Sequence, residues 1–300
     1  MIKPTALFLA WLNSSSGTVK GIGFLLISTL SMSAMITVVR YLSADLHPFQ
    51  LAFFRAFFGF LVFTPFFIQQ GLAPLRTKRL GLHGFRAILH STSVILFFYG
   101  LTMTPLAKAI SIQFSAPLFA SVLAIFLLGE SLRFGRIAAL SVGFIGTLVV
   151  LRPGIVAIEI GTIALLVAAA MWGSAIIIIK SLARTESSTT MTIYSTLLMS
   201  PITLIFAIPV WQQPDLGQII LLLIVGALAS AGHLALATAM KLAEVTALTP
   251  VEFTKLIWVA IFGFLLFGEI PDWGVWVGGA LIFAATTYMS LRERQLNGKN

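Results

Sequence analysis

The stretch GIGFLLISTLSMSAMITVVRYL (21–42) recurs in outline as GTIALLVAAAMWGSAIIIIKSL (161–182), 140 positions further along the chain. Gly21 falls on Gly161, Leu25-Leu26 on Leu165-Leu166, Ile36 on Ile176, Arg40 on Lys180 and Leu42 on Leu182. Each copy is apolar or hydroxylic apart from that one terminal cation, and about 20 such residues form a helix that crosses about 30 Å of hydrocarbon. At a shift of 139 the later segments follow, with Ser91 on Ser230, Phe114 on Phe253, Gly129-Glu130 on Gly268-Glu269 and Gly135 on Gly274. One nearly constant offset over the whole chain points to an internal duplication.

Composition agrees on the solvent: 58% of the 300 residues are hydrophobic and 10% are charged. The mean hydropathy of +1.01 lies outside the range of soluble domains. Outward from the two copies, the hydropathy predicts ten spans near residues 20–40, 48–70, 80–102, 106–128, 134–151, 161–181, 190–210, 216–239, 245–267 and 272–290. Their apolar runs are continuous, which favours helices over the alternating strands of a barrel. Ten spans nearly exhaust the length and leave no room for a soluble domain.

Thirteen lysines and arginines fall on one side of these spans (Lys3, Lys20, Arg76, Lys78, Arg79 and Arg133 among them) and only Arg40 and Arg152 on the other. That asymmetry predicts both termini in the cytoplasm of a multi-pass bacterial inner-membrane protein. Pro4 to Leu12 is apolar but too short to span, and no small-x-small cleavage pattern follows it, so residues 1–19 are read as a cytoplasmic tail. Repeat 1 is expected over 20–151, repeat 2 over 157–290, and a second cytoplasmic tail over 291–300. Because each unit holds five spans, an odd number, the second must enter the membrane inverted relative to the first. The fold class expected is thus an all-α polytopic membrane protein of ten transmembrane helices in two inverted five-helix repeats, a layout of secondary transporters whose site lies near the midplane.

Zero cysteines exclude disulfides, thiolate metal ligation and cysteine nucleophiles. The net charge of +9 is dispersed among the spans and forms no single basic face, which argues against a nucleic-acid partner. Expected partners are the lipid bilayer and a small-molecule substrate, with the chain a monomer or weak dimer and with neither cofactor nor metal.

Several motifs resemble the drug/metabolite transporter superfamily, in particular its ten-helix EamA-type members. They are Arg55 early in the second span after His47-Pro48, a small-residue fourth span from Ala107 to Pro117, Leu128-Gly129-Glu130 closing it, and Phe267-Gly268-Glu269 repeating that close. Pro250 stands early in the ninth span, whereas Leu256 replaces Pro117 at its repeat position. Within the family the chain looks most similar to aromatic amino acid exporters of the YddG type, a resemblance that implies efflux of aromatic and other amino acids and related metabolites.

Ionisable groups inside a membrane are expensive and mark either function or a buried structural pair. Glu252 and Lys255 are three apart on the ninth span, so they either neutralise each other or meet a substrate or proton. His90, about ten residues into the third span, either meets a substrate carboxylate or makes an interhelical hydrogen bond. Gln113, the repeat mate of Glu252, is expected to line a cavity. Trp172 and Trp258 stand mid-span, away from the interface where Trp collects, and with Phe97 and Tyr99 they either form an apolar, π-rich pocket or pack helices. The expected substrate-binding set is therefore His90, Phe97, Tyr99, Gln113, Trp172, Glu252 and Trp258. Arg55 is read as an anchor to a loop carbonyl or Asp45, Arg86 as a snorkelling residue, His233 as an interfacial or packing residue, and Glu130 and Glu269 as capping or packing against the adjacent helix start.

No Gly-x-x-x-x-Gly-Lys-Ser/Thr phosphate loop occurs, so the expected work is gradient-driven alternating access without covalent chemistry. An intramembrane enzyme would need a metalloprotease helix motif or paired mid-membrane aspartates, and only Asp45, Asp215 and Asp272 exist, all in loops. A channel would need a filter motif, which is absent. Export of amino acids is the leading expectation. Uptake or exchange of another metabolite, such as a nucleoside or an amine, is the alternative, and an intramembrane enzyme a more distant one.

Overall fold

The computed structural model describes residues 17–71, 75–128, 134–152, 159–182, 185–243, 248 and 251–297. Glu130, Pro250 and most of the N-terminal tail lie outside the described residues. Among those described the chain is all helical, with no strand. In chain order the elements are α1 (Gly17–Leu42), α2 (Pro48–Leu61), α3 (Thr64–Gln70), α4 (Leu80–Met103), α5 (Leu106–Gln113), α6 (Ala116–Leu128), α7 (Phe134–Leu151), α8 (Ile160–Leu182), α9 (Ser188–Ala207), α10 (Leu216–Leu242), α11 (Thr254–Phe267) and α12 (Trp273–Asn297). Six helical stretches are long and apolar enough to cross a membrane, and Pro48–Leu61, Ile137–Leu151, Thr254–Phe267 and Trp273–Tyr288 are shorter apolar helices.

Two expected spans are each divided in two. The second breaks at Val62-Phe63, before Pro65 in the first turn of α3. The fourth breaks at Phe114-Ser115, two residues before Pro117, whose missing N–H cannot close the turn. The helix of the ninth span also breaks, at Phe253, although Leu256 stands where the first half has Pro117. The last helix runs on to Asn297, beyond the expected limit at residue 290.

Local signals account for several boundaries. His47 precedes Pro48, and its Nδ1 accepts the Phe49 N–H at 3.3 Å, capping α2. Asp215 and Gln218 form a reciprocal capping box at the start of α10. Ser187 Oγ accepts from Thr190 N at 2.9 Å at the start of α9. Gly268, at φ +66°, ends α11 in the left-handed region that favours glycine.

Each long helix turns its polar side inward. On α1, Ser28, Thr29, Ser33 and Thr37 are buried, while Leu26, Ile27 and Leu30 are exposed. In lipid the outer face must be apolar, and hydroxyls are satisfied only between helices or on their own backbone. Ser28 Oγ accordingly donates to Gly232 O on α10 at 2.8 Å, and Ser93 Oγ on α4 to Ala168 O on α8 at 2.8 Å.

Packing agrees with the expected duplication. α1 lies along α10 and α4 along α8; α6 meets α8 and α11 meets α1; α2 meets α10 and α4 meets α9. Exchange of the two halves converts the first member of each of these pairs into the second. α7 and α12, like α2 and α9, pair with their own equivalents. Glycines set the closest approaches: a Cβ on Gly146 would lie 2.8 Å from Gly278 O, and one on Gly278 would lie 2.5 Å from Gly146 O.

Candidate functional site

A polar cluster is built where α2, α4, α8, α9 and α10 converge. His90 on α4 and Arg55 on α2 are only 4% and 5% exposed. His90 Nδ1 lies 2.9 Å from Ser195 Oγ on α9. Its ring centroid is 4.8 Å from that of Trp172 on α8 and 5.7 Å from that of His233 on α10, and Trp172 and His233 are 6.3 Å apart.

Arg55 Nη2 lies 3.0 Å from His233 Nε2, and Nη1 lies 3.7 Å from Met199 Sδ on α9. A guanidinium only donates. His233 Nε2 is therefore the acceptor, which makes this imidazole neutral with its proton on Nδ1. Arg86, one turn from His90 on α4, donates through Nη1 to Met191 O on α9 at 2.9 Å.

Of the expected set, the fold brings His90 and Trp172 together. Phe97 is buried in the main core against Phe98, and Tyr99 turns toward Phe49, with ring centroids 6.3 Å apart. Gln113 ends α5 with its Oε1 buried and unpaired, and Trp258 on α11 leaves its Nε1 likewise unpaired. Glu252 pairs with Lys255 at 3.7 Å. Among the described residues no hydrogen bond, ion pair or ring contact joins these other five residues to the His90 cluster.

Two readings from hydropathy are corrected and one is narrowed. Of the interfacial and packing readings of His233, its ring contacts with His90 and Trp172 favour packing. Among the described residues Arg55 reaches neither a loop carbonyl nor Asp45; it turns inward to His233. Arg86 does not snorkel, being 6% exposed and bonded across to α9. Span depth was readable from the sequence, but the face a side chain takes was not. A usable signal did exist, because Ser195 is the 140-residue mate of Arg55. The Arg55–His233 bond from α2 to α10 and the Ser195–His90 bond from α9 to α4 thus join equivalent helices, although at the shift of 139 His90 falls on Ala229, one turn from His233.

Beyond the cluster, the ends of the bundle are tied. At one end Gln50 Nε2 donates to Gln212 O at 2.6 Å, and Gln212 N donates back to Gln50 Oε1 at 3.1 Å. Glu269 Oε2 accepts the Leu106 N–H at 2.7 Å, capping α5 as expected, and Glu269 lies 3.7 Å from Arg40. In the segments from Leu75 to Arg79 and Ser181 to Tyr194, Thr77 Oγ1 donates to Glu186 Oε1 at 2.6 Å. Arg79 donates to Ser181 O at 2.8 Å and Oγ at 2.9 Å, and Tyr194 OH donates to Leu75 O at 2.6 Å. A cavity of about 60 Å³ beside Lys108, Glu269 and Asp272 is too small for a metabolite, whose pockets run to about 300 Å³ or more.

A helical bundle with six stretches long and apolar enough to cross a membrane, enclosing a polar and aromatic cluster, has the form of a membrane transporter. The profile of the EamA-like transporter family matches residues 19–152 and again 159–291. The chain belongs to that family, within the drug/metabolite transporter superfamily, and is a multi-pass membrane protein.

The S-adenosylmethionine uptake transporter of Rickettsia bellii is 32% identical over 93% of this chain and 96% of its own length. The riboflavin transporter of Vibrio cholerae is 28% identical over 91% and 94%. A solved crystal structure of a protein with 19% identity matches 94% of this chain and 99% of its own at a TM-score of 0.62, a likeness of fold alone. These relatives are transporters, and the chain is a transporter and not an enzyme. Their names are those of S-adenosylmethionine and riboflavin carriers, not of aromatic amino acid exporters, which corrects the nearer resemblance drawn from the motifs.

Proposed function

We propose that this chain is a secondary transporter of the bacterial inner membrane that takes up S-adenosylmethionine or a closely related nucleoside-bearing amino acid. Two inverted five-helix halves would rock about the cluster of Arg55, His90, Trp172 and His233. One observation carries the choice of substrate: full-length similarity to S-adenosylmethionine uptake transporters accompanies an indole ring and a buried guanidinium that both lie against His233. An adenine ring can stack on Trp172, a sulfonium can sit over its π face, and a carboxylate suits a cation. The exchange of helix pairs between halves and the two family matches support the inverted architecture.

The second reading is export of aromatic amino acids, favoured by the same neighbourhood, since an amino acid offers a ring and a carboxylate in one molecule. Gln113, Glu252 and Trp258, and with them Phe97 and Tyr99, are reserved in both readings for a state in which the halves have moved.

Counterflow in proteoliposomes separates the two. Preloaded unlabelled S-adenosylmethionine should drive saturable entry of the labelled compound. If it drives none, while tryptophan or riboflavin does drive exchange, the first reading is discarded.

A further inference from the structure

Among the described residues Arg55 is a buried cation without an acidic partner. Its Nη2 donates to a neutral imidazole, its Nη1 faces only the Met199 thioether, and its Nε is buried with no partner. Among the described residues no ion pair joins Arg55, Arg86 or His233 to a carboxylate. Lys255 has Glu252 at 3.7 Å, but Arg55 and Arg86 have no counter-ion among the described residues. Removing a guanidinium from water without an opposite charge is costly, and a transporter retains such a group where a substrate anion completes it. The free Nε–H and an adjacent Nη–H form the fork that a carboxylate occupies with both oxygens.

We infer that Arg55 is the carboxylate anchor of the substrate site, taking the α-carboxylate of an amino-acid-bearing substrate through its free Nε–H and the Nη2–H beside it, while the remaining Nη2–H donates to His233 and holds the guanidinium in place. The inference rests on the transport reading above but deepens it. It assigns one end of the substrate to α2 and leaves the ring or purine end to Trp172. His233 is then a positioning residue. A substrate that lacks the carboxylate would leave the guanidinium unpaired, so the site discriminates by charge at this end.

The test compares S-adenosylmethionine with its decarboxylated analogue, using the full chain in lipid nanodiscs. Dissociation constants are read from quenching of intrinsic tryptophan fluorescence for the wild type, Arg55→Gln and Arg55→Lys. The wild type should bind S-adenosylmethionine at least tenfold more tightly than the analogue. Arg55→Gln should erase that difference by weakening S-adenosylmethionine about tenfold, the scale of one charge-assisted hydrogen bond, while the analogue changes less than twofold. Arg55→Lys should fall between.

Retained binding of the analogue shows that the variant is folded. Equal weakening of both ligands, or no preference in the wild type, overturns the anchor. If the wild type binds neither adenosyl compound, the substrate reading fails, and tryptophan against tryptamine then decides the anchor by the same criteria: it stands if Arg55→Gln erases a wild-type preference for tryptophan and falls otherwise.

Discussion

Phe114 and Phe253, 139 positions apart in the chain, stack on one another with ring centroids 5.7 Å apart and 24° between their planes. Each occupies the residue at which its helix breaks, so the two interrupted helices of the halves meet at their equivalent points. The break recurs in the second half although Leu256 replaces Pro117, so proline is not what imposes it there. An aromatic pair of this kind contributes about 1 kcal/mol beyond its buried area. Phe114→Ala should lower the melting temperature of the purified protein, and Phe253→Ala should add little once Phe114 is gone; full additivity would mean that the rings act separately.

Closest approach of α7 to α12 depends on Gly146 and Gly278. No side chain fits at either position without displacing backbone. Gly278→Val should destabilise the protein by about 1–3 kcal/mol, the usual range for overpacking, as read by a shifted melting transition in detergent. An unshifted transition would show that the two helices can separate freely.

Trp172 is the aromatic plane closest to His90. Trp172→Ala should raise the half-saturation constant for substrate by about tenfold, the scale of one stacking or cation–π contact, and Trp172→Phe should recover part of it. The measurement is uptake into proteoliposomes at matched protein content. Equal activity of the alanine variant would remove Trp172 from the site.

Arg79 ties the segment before α4 to the end of α8 through Ser181. Arg79→Ala removes bonds worth about 1 kcal/mol each and should open that end of the bundle. The chain lacks cysteine, so a single Ser91→Cys, at a fully buried position, reports access cleanly. Its labelling by a polar thiol reagent should accelerate severalfold in the Arg79→Ala background. An unchanged rate would mean that this tie does not govern access.

His47 caps α2 through its Nδ1, which must be unprotonated to accept the Phe49 N–H. Partial burial pulls its pKa below the ordinary histidine value of 6.5. The folded protein thus binds this proton less readily than the unfolded chain. Its contribution to stability is complete above the unfolded value and is lost as the pH falls through 6.5 toward the lower folded value. The melting temperature should fall on acidification from pH 7.5 to 5.5, and His47→Asn, a cap that does not titrate, should flatten that decline.

Apolar length, the placement of lysines and arginines, and a repeat near 140 residues were legible in the sequence because the bilayer constrains all three. A helix must be long enough to cross and must turn apolar atoms to lipid, and both requirements leave a one-dimensional trace. Helices α1, α4, α8 and α10 therefore fall within a few residues of their expected limits, and Glu269 takes the capping role that was one of its two expected structural roles. What the sequence could not determine is which face each polar residue takes and whom it meets there. Arg55 and His233 are 178 positions apart, and their bond exists only because α2 packs on α10. Hydropathy measures depth along a span, whereas a hydrogen bond across helices depends on rotation about the helix axis, which side-chain packing alone decides.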